Sequence, residues 1–210
     1  MEDVLDVYHR PYDPMRPVVC VDEMTKTLRG DKTEPLPAEP GLSAREDYEY
    51  ERNGTCNIFM SVEPLVGKRE ARVTERRTSI DFADELRLLI DNDYPDAERI
   101  VLVTDNLNTH SPASLYQRFA PEEARRIARK IEWHYTPEHG SWLNMAEIEL
   151  SILSRQCLRR RLFAKEEVQQ QVNAWQERRN NAPASINWQF TTADARIKLT
   201  RLYPKITYSS

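Results

Sequence analysis

The sequence predicts an α/β domain with a mixed five-stranded sheet flanked by helices. Two apolar runs, at 18–21 and 100–104, are typical of core strands, and each leads into an aspartate, Asp22 or Asp105. After residue 79, segments with helical and strand-like periodicity alternate. The resulting order is three strands, a helix, a strand, short helices, a strand and two helices, which fits a mixed sheet covered by helices.

The first half of the chain is predicted to form an antiparallel meander of three strands. Residues 1–16 are short, polar and contain two prolines, so we expect a linker that leads into a strand at about 17–22. A long loop rich in proline and glycine follows at 30–47. Two β-prone segments, 55–62 and 71–74, complete the meander.

The second half is predicted to alternate helices and strands. Ser79 is a candidate N-cap for a helix that ends before Pro95, and a strand follows at 99–104. The remaining elements are, in order, short helices from 111 and 121, a strand at 131–135 and helices at 142–160 and 165–180. We expect the whole domain to cover 17–205.

Composition limits the classes of function. The 210 residues carry a formal net charge of −4, which argues against a surface that binds nucleic acid everywhere but leaves room for local basic patches. The three cysteines lie far apart, so neither a disulfide framework nor a zinc knuckle is indicated. The sequence has no apolar run long enough to span a bilayer and no signal peptide, so we expect a cytoplasmic protein without a membrane partner.

Asp22 and Asp105 are candidate metal ligands because each follows an apolar strand. In open sheets, ligands bind near such strand ends. Carboxylates that converge there can hold two divalent metal ions for phosphodiester chemistry. The alternative is that each aspartate caps a turn, and the pattern leaves both interpretations open.

A third acid would come from the helix at 142–160. Glu147 and Glu149 lie about equally far from the centre of its apolar stripe, on opposite sides. Helical periodicity therefore cannot choose between them, and both could be ordinary acids that flank an amphipathic helix.

Basic residues form local clusters, one of which follows closely on Glu147. It consists of Arg155, Arg159, Arg160 and Arg161. A cationic surface beside carboxylates is what a DNA-cleaving enzyme needs, because phosphate contacts position the duplex. Each cluster alone could equally be a solvated face.

Three segments together carry a family pattern. They are Val19-Cys20-Val21-Asp22-Glu23, then Val103-Thr104-Asp105-Asn106 with His110 four residues on, then Tyr135-Thr136-Pro137 leading to Ser141-Trp142-Leu143-Asn144 and Glu147. They resemble the signature blocks of a bacterial insertion-sequence transposase of the mariner superfamily, in its DDE endonuclease domain. The resemblance covers about 17–205, and the family's Asn-x-x-Glu pattern selects Glu147.

The resemblance implies a ribonuclease-H-like fold and DNA strand cleavage followed by strand transfer at the ends of the element. It implies that Asp22, Asp105 and Glu147 are catalytic and hold two Mg²⁺ or Mn²⁺ ions. Positions near that site match Asn106, His110 and Asn144. The implied partner is DNA, both element ends and target, bound by a homodimer in the bacterial nucleoid.

Two features depart from the family pattern. Forty-one residues separate Asp105 from Glu147, which is longer than usual, and the extra length falls between 111 and 130. The N-terminal helix-turn-helix region of family members is absent, so we expect a fragment, a truncated reading frame or one part of a split protein. Two other functions stay open: a ribonuclease-H-like nuclease without strand transfer, and a truncated, non-catalytic remnant or regulator of a full-length transposase.

Overall fold

A computed structural model of the chain describes residues 1–32, 41, 49–138 and 140–203. The strands are β1 (Val18–Asp31), β2 (Tyr50–Glu63), β3 (Lys68–Thr74), β4 (Ile100–Thr104) and β5 (Ile131–Tyr135). The helices are α1 (Glu2–Tyr8), α2 (Ser79–Leu88), α3 (Ala113–Arg118), α4 (Pro121–Arg129), α5 (Met145–Gln156), α6 (Lys165–Asn181) and α7 (Thr192–Lys198). Short helical turns occur at Leu89–Asp93, Ser141–Leu143 and Thr200–Leu202. Within these ranges, no helix has the length and apolar character needed to cross a lipid bilayer.

The strands form one mixed sheet in the order β3-β2-β1-β4-β5. β1, β2 and β3 pair antiparallel, whereas β4 pairs parallel to β1 and β5 pairs parallel to β4. The predicted fold class, a mixed five-stranded sheet flanked by helices, is therefore confirmed.

Helices cover the sheet on both faces because side chains alternate along each strand. On one face, Cys20 and Met60 belong to a buried cluster that includes residues of α1, α5 and α6. On the other face, Val19 and Leu102 belong to a second cluster that includes residues of α2 and α4, among them Phe82. The core consequently lies in two layers, one on each side of the sheet.

β1 is longer than the strand predicted at 17–22 and continues to Asp31. It pairs with β4 only from Val18 to Cys20, whereas its pairing with β2 runs from Cys20 to Asp31. Asp22 thus lies inside a strand, just beyond the point where its neighbour β4 has stopped pairing. The predicted strand end was wrong because the hairpin with β2 continues through polar residues that carry no apolar pattern. The loop predicted at 30–47 falls largely outside the described residues, which leave out 33–40 and 42–48.

Residues 1–16 were predicted to be a linker, but they contain α1, whose apolar side chains are in the core. Val4 and Leu5 are fully buried, and the Tyr8 hydroxyl donates a hydrogen bond to the Leu143 carbonyl oxygen. The linker interpretation is therefore wrong for Glu2–Tyr8. A helix of 7 residues is too short for its apolar period to stand out from the sequence.

Candidate active site

Asp22, Asp105 and Glu147 line one open cleft. Asp22 belongs to β1, Asp105 directly follows β4, and Glu147 lies in the first turn of α5. Because β1 and β4 are parallel neighbours, Asp22 and Asp105 lie at the same edge of their paired segment. Two strands and one helix thus bring the three predicted acids to one surface.

Asn144 joins α5 to the strand that carries Asp22. Its Oδ1 accepts a hydrogen bond of 3.1 Å from the N–H of Ala146 and so caps α5. Its Nδ2 donates to the Val21 carbonyl oxygen at 3.0 Å and to Asp22 Oδ2 at 3.2 Å. One buried amide therefore sets both the start of α5 and its position against β1.

The two acids of α5 lie in opposite environments. Glu147 is exposed and lines the cleft. Glu149 is 1% exposed, and its carboxylate pairs with Arg69 Nε at 2.8 Å and with Arg179 Nη2 at 3.0 Å. Glu149 consequently belongs to a buried ionic network between α5, β3 and α6, and Glu147 is the acid that α5 presents to the cleft.

The pKa of Asp22 is raised by its surroundings in the cleft. Burial is the main cause that raises the pKa of Asp22, to about 7. The N–H of Glu23, which donates to Asp22 Oδ1 at 2.7 Å, opposes the increase. The neighbouring carboxylates of Glu23, Asp105 and Glu147 add to it by repulsion. A cation in the cleft would relieve this repulsion.

His110 lies behind Asp105 in the core. Its ring is 1% exposed and packs on Phe82 with ring centroids 4.3 Å apart. Nδ1 forms a hydrogen bond with Asp105 Oδ1, and Nε2 lies 3.0 Å from Glu23 Oε2. Burial alone would lower the pKa of His110, but the hydrogen bonds with Asp105 and Glu23 raise it to about 9.

The family model of DDE superfamily endonucleases matches the chain over residues 17–169. This chain belongs to the DDE endonuclease superfamily. The mixed sheet with helices on both faces agrees with the ribonuclease-H-like fold implied for it by sequence. Members of the superfamily generally use divalent metal ions. No curated protein matches the sequence significantly.

Several solved structures of Mos1 resemble this DDE endonuclease. The Mos1 strand transfer complex matches with a TM-score of 0.49 and 13% identity, over 83% of this chain and 51% of that one. A pre-cleavage Mos1 transpososome matches with a TM-score of 0.46 and 17% identity, over 83% of this chain and 52% of that one. The chain therefore spans about half the length of these Mos1 chains.

The carboxylates of this DDE endonuclease do not form a closed coordination cluster. Across the part of the chain that the structure describes, no group of three or more His, Cys, Asp and Glu side chains is arranged to hold a metal ion. The donor chemistry nevertheless fits a hard divalent cation, because carboxylate oxygens suit Mg²⁺ and Mn²⁺.

The other predicted residues lie around the cleft at different places. Asn106 lines an adjoining pocket that shares Asp105 and Ser141 with the cleft. Of the four arginines, the cleft lining includes Arg155. Arg159 and Arg160 are exposed beyond the end of α5, and Arg161 pairs with Asp31 at 2.5 Å. His139 lies outside the described residues.

Two further residues of the cleft, Glu23 and Arg77, were missed by the sequence analysis. Arg77 Nη1 lies 3.3 Å from Glu23 Oε1. Glu23 stands beside Asp22 in the first family segment, which was an available signal, but it does not follow the apolar run directly. Arg77 gave no signal, because it belongs to one of many basic pairs and the cleft is formed by distant parts of the chain.

Proposed function

We propose that this DDE endonuclease is the catalytic domain of a transposase, which cleaves DNA strands at the ends of an insertion sequence and transfers them to target DNA. The observation that carries the proposal is the convergence of Asp22, Asp105 and Glu147 on one cleft that Arg155 also lines. Carboxylates suit divalent cations, and arginine suits the phosphates of DNA. Membership of the superfamily supports the same chemistry.

In the proposed reaction, Asp22, Asp105 and Glu147 hold two divalent ions, Mg²⁺ or Mn²⁺. Such a pair supplies activation of the attacking oxygen and stabilisation of the leaving oxygen. Asn144 keeps the helix of Glu147 against the strand of Asp22. Arg155 contacts the phosphates on either side of the reacting bond and so positions the strand in the cleft.

The substrates in this proposal are element ends and target DNA, and two copies of the chain act together on them. Sedimentation of the protein with and without a duplex that carries an element end measures the number of copies on the DNA. A single copy on a fully reacted end would contradict the dimer without affecting the assignment of the cleft.

Nicking of supercoiled plasmid in Mg²⁺ or Mn²⁺ tests the proposed chemistry. We expect the wild type to nick and Asp105→Asn to lose nicking, because an amide is a poor replacement for a carboxylate metal ligand. Asp96→Asn is the matched control, since Asp96 is exposed and outside the cleft, and it should nick like the wild type. A wild type without metal-dependent nicking would overturn the proposal, and nicking without joining in a strand-transfer assay would favour a purely hydrolytic nuclease.

A further inference from the structure

Glu23 is a buried carboxylate at the wall of the cleft, and the proposed reaction does not use it. Its side chain is 3% exposed. Successive side chains of a strand point to opposite faces, which turns Glu23 away from Asp22 and toward His110. Burial of a carboxylate is costly unless it is paired, so the partners of Glu23 indicate what it does.

The partners of Glu23 connect it to Asp105 through one imidazole ring. Glu23 Oε2 lies 3.0 Å from His110 Nε2, and His110 Nδ1 forms a hydrogen bond with Asp105 Oδ1. The ring also packs on Phe82 and is 1% exposed. With both nitrogens engaged and one face covered, the ring is held in a single orientation.

Of the two predicted metal ligands that come from strands, Asp105 has less backbone support from the sheet than Asp22, which lies inside β1. β4 ends at Thr104, so Asp105 is the first residue after the strand, and its side chain is 33% exposed. The contact with His110 engages one carboxylate oxygen and thereby restricts rotation of the group. Residues that orient a metal ligand in this way contribute to metal affinity although they do not touch the metal.

We propose that Glu23 is a positioning residue for Asp105 and that it acts through His110. The inference rests on the proposed function, because it assumes that Asp105 binds a divalent metal. Glu23 fixes the orientation of the imidazole, and the imidazole fixes the orientation of the Asp105 carboxylate in the cleft. Arg77 Nη1 lies 3.3 Å from Glu23 Oε1, so Arg77 restrains Glu23 on the side away from His110.

Binding of Mn²⁺ alone, followed by the electron paramagnetic resonance signal of the free ion, tests this role. We expect Glu23→Leu to weaken Mn²⁺ binding about 10- to 100-fold, the usual effect of removing such a supporting group. Glu23→Gln should recover most of the affinity, because it keeps the size of the side chain and places an amide oxygen, which is a hydrogen-bond acceptor, beside His110 Nε2. In nicking assays, Glu23→Leu should lower kcat and leave the KM for DNA unchanged.

Glu85→Leu is the matched control. Glu85 is likewise a buried carboxylate, 8% exposed, and it is paired with an arginine, Arg72, at 3.1 Å. Its described contacts do not include His110 or Asp105. A loss of Mn²⁺ affinity equal to that of Glu23→Leu would mean that any buried carboxylate on this face has the same effect, and the proposal would fail.

Two variants of His110 keep the test decisive if Glu23→Leu does not fold. Replacing both members of a buried polar pair by apolar groups is better tolerated than replacing one. We expect His110→Leu and the double variant Glu23→Leu/His110→Leu to lose Mn²⁺ affinity equally, because Glu23 has no separate route to Asp105. Additive losses, or wild-type affinity in the double variant, would overturn the proposal.

A wild type that neither binds Mn²⁺ nor nicks DNA would contradict the proposed function itself, whereas unchanged affinity in Glu23→Leu beside an active wild type would contradict only this inference.

Discussion

At the scale of single residues, the clearest contrast is between Glu147 and Glu149. They are two positions apart on α5, which turns their side chains by about 200° relative to each other. One reaches the open cleft, and the other reaches Arg69 and Arg179 in the interior. The same residue type thus lines the cleft in one position and supports the packing of α5 against β3 and α6 in the other.

Neutralising Glu149 should lower the stability of the protein, whereas neutralising Glu147 should abolish its activity and leave the stability nearly unchanged. Glu149→Gln should lower the free energy of unfolding by about 3 kcal/mol, because it leaves Arg69 buried without a full counter-charge. Glu147→Gln should change the free energy of unfolding by less than about 0.5 kcal/mol, as expected of an exposed side chain, and it should abolish metal-dependent nicking. Urea unfolding in metal-free buffer and the plasmid assay measure the two effects. Wild-type stability in Glu149→Gln would contradict the structural role of Glu149, and nicking by Glu147→Gln would contradict the catalytic role proposed for Glu147.

At the scale of elements, α5 is placed by the residue that precedes it. Asn144 caps the helix and also donates to the strand that carries Asp22. Helix start and strand position are consequently linked through a single buried amide, which is 1% exposed. The apolar periodicity predicted a helix from residue 142, but α5 begins at Met145 because Asn144 caps it there.

Serine and alanine at position 144 should separate the cap from the link to β1. Serine still caps a helix but is too short to replace the amide donor, so Asn144→Ser should retain about 1 kcal/mol more stability than Asn144→Ala. Both variants should lose most nicking activity, because neither holds Asp22 against α5. Urea unfolding and the plasmid assay measure these effects, and wild-type activity in Asn144→Ser would show that the bond to Asp22 is dispensable.

At the scale of the whole molecule, the net charge is −4, but arginines lie at the cleft that the three predicted acids line. Arg155 and Arg77 line the cleft, where Arg77 pairs with Glu23, whereas Arg161 lies outside the cleft lining and pairs with Asp31. α5, which carries Arg155, packs against β1, and β1 is the sheet neighbour of β4, which leads into Asp105. Local charge around the carboxylates, and not the total charge of the chain, is what a DNA strand would meet.

Salt dependence of DNA binding should distinguish Arg155 from Arg161. Each phosphate contact releases counterions, so Arg155→Ala should reduce the slope of log K against log salt concentration by about 1. Arg161→Ala is the matched control and should change the slope much less, because Asp31 already neutralises that guanidinium. Fluorescence anisotropy of a labelled duplex at several NaCl concentrations gives the slopes. Equal slopes for the two variants would exclude Arg155 as a specific phosphate contact.

The sequence by itself determined the fold class and most of the elements. Apolar runs and helical periods predicted β4, β5 and α6 close to their observed bounds, because each buries a continuous stripe that local spacing reveals. Three of the acids that line the cleft were selected partly by strand context and partly by family resemblance. The residues Asp22, Asp105 and Glu147 do line one cleft, and their role as metal ligands remains a prediction.

Only the tertiary structure decided which partner each charged group has. It placed α1 in the core, extended β1 to Asp31 and paired Glu149 with Arg69, 80 positions away in sequence. It also connected Glu23 to Asp105 through His110. Local patterns report which face of an element is apolar, whereas the environment of a charge is set by groups from distant parts of the chain, and these meet only when the sheet is assembled.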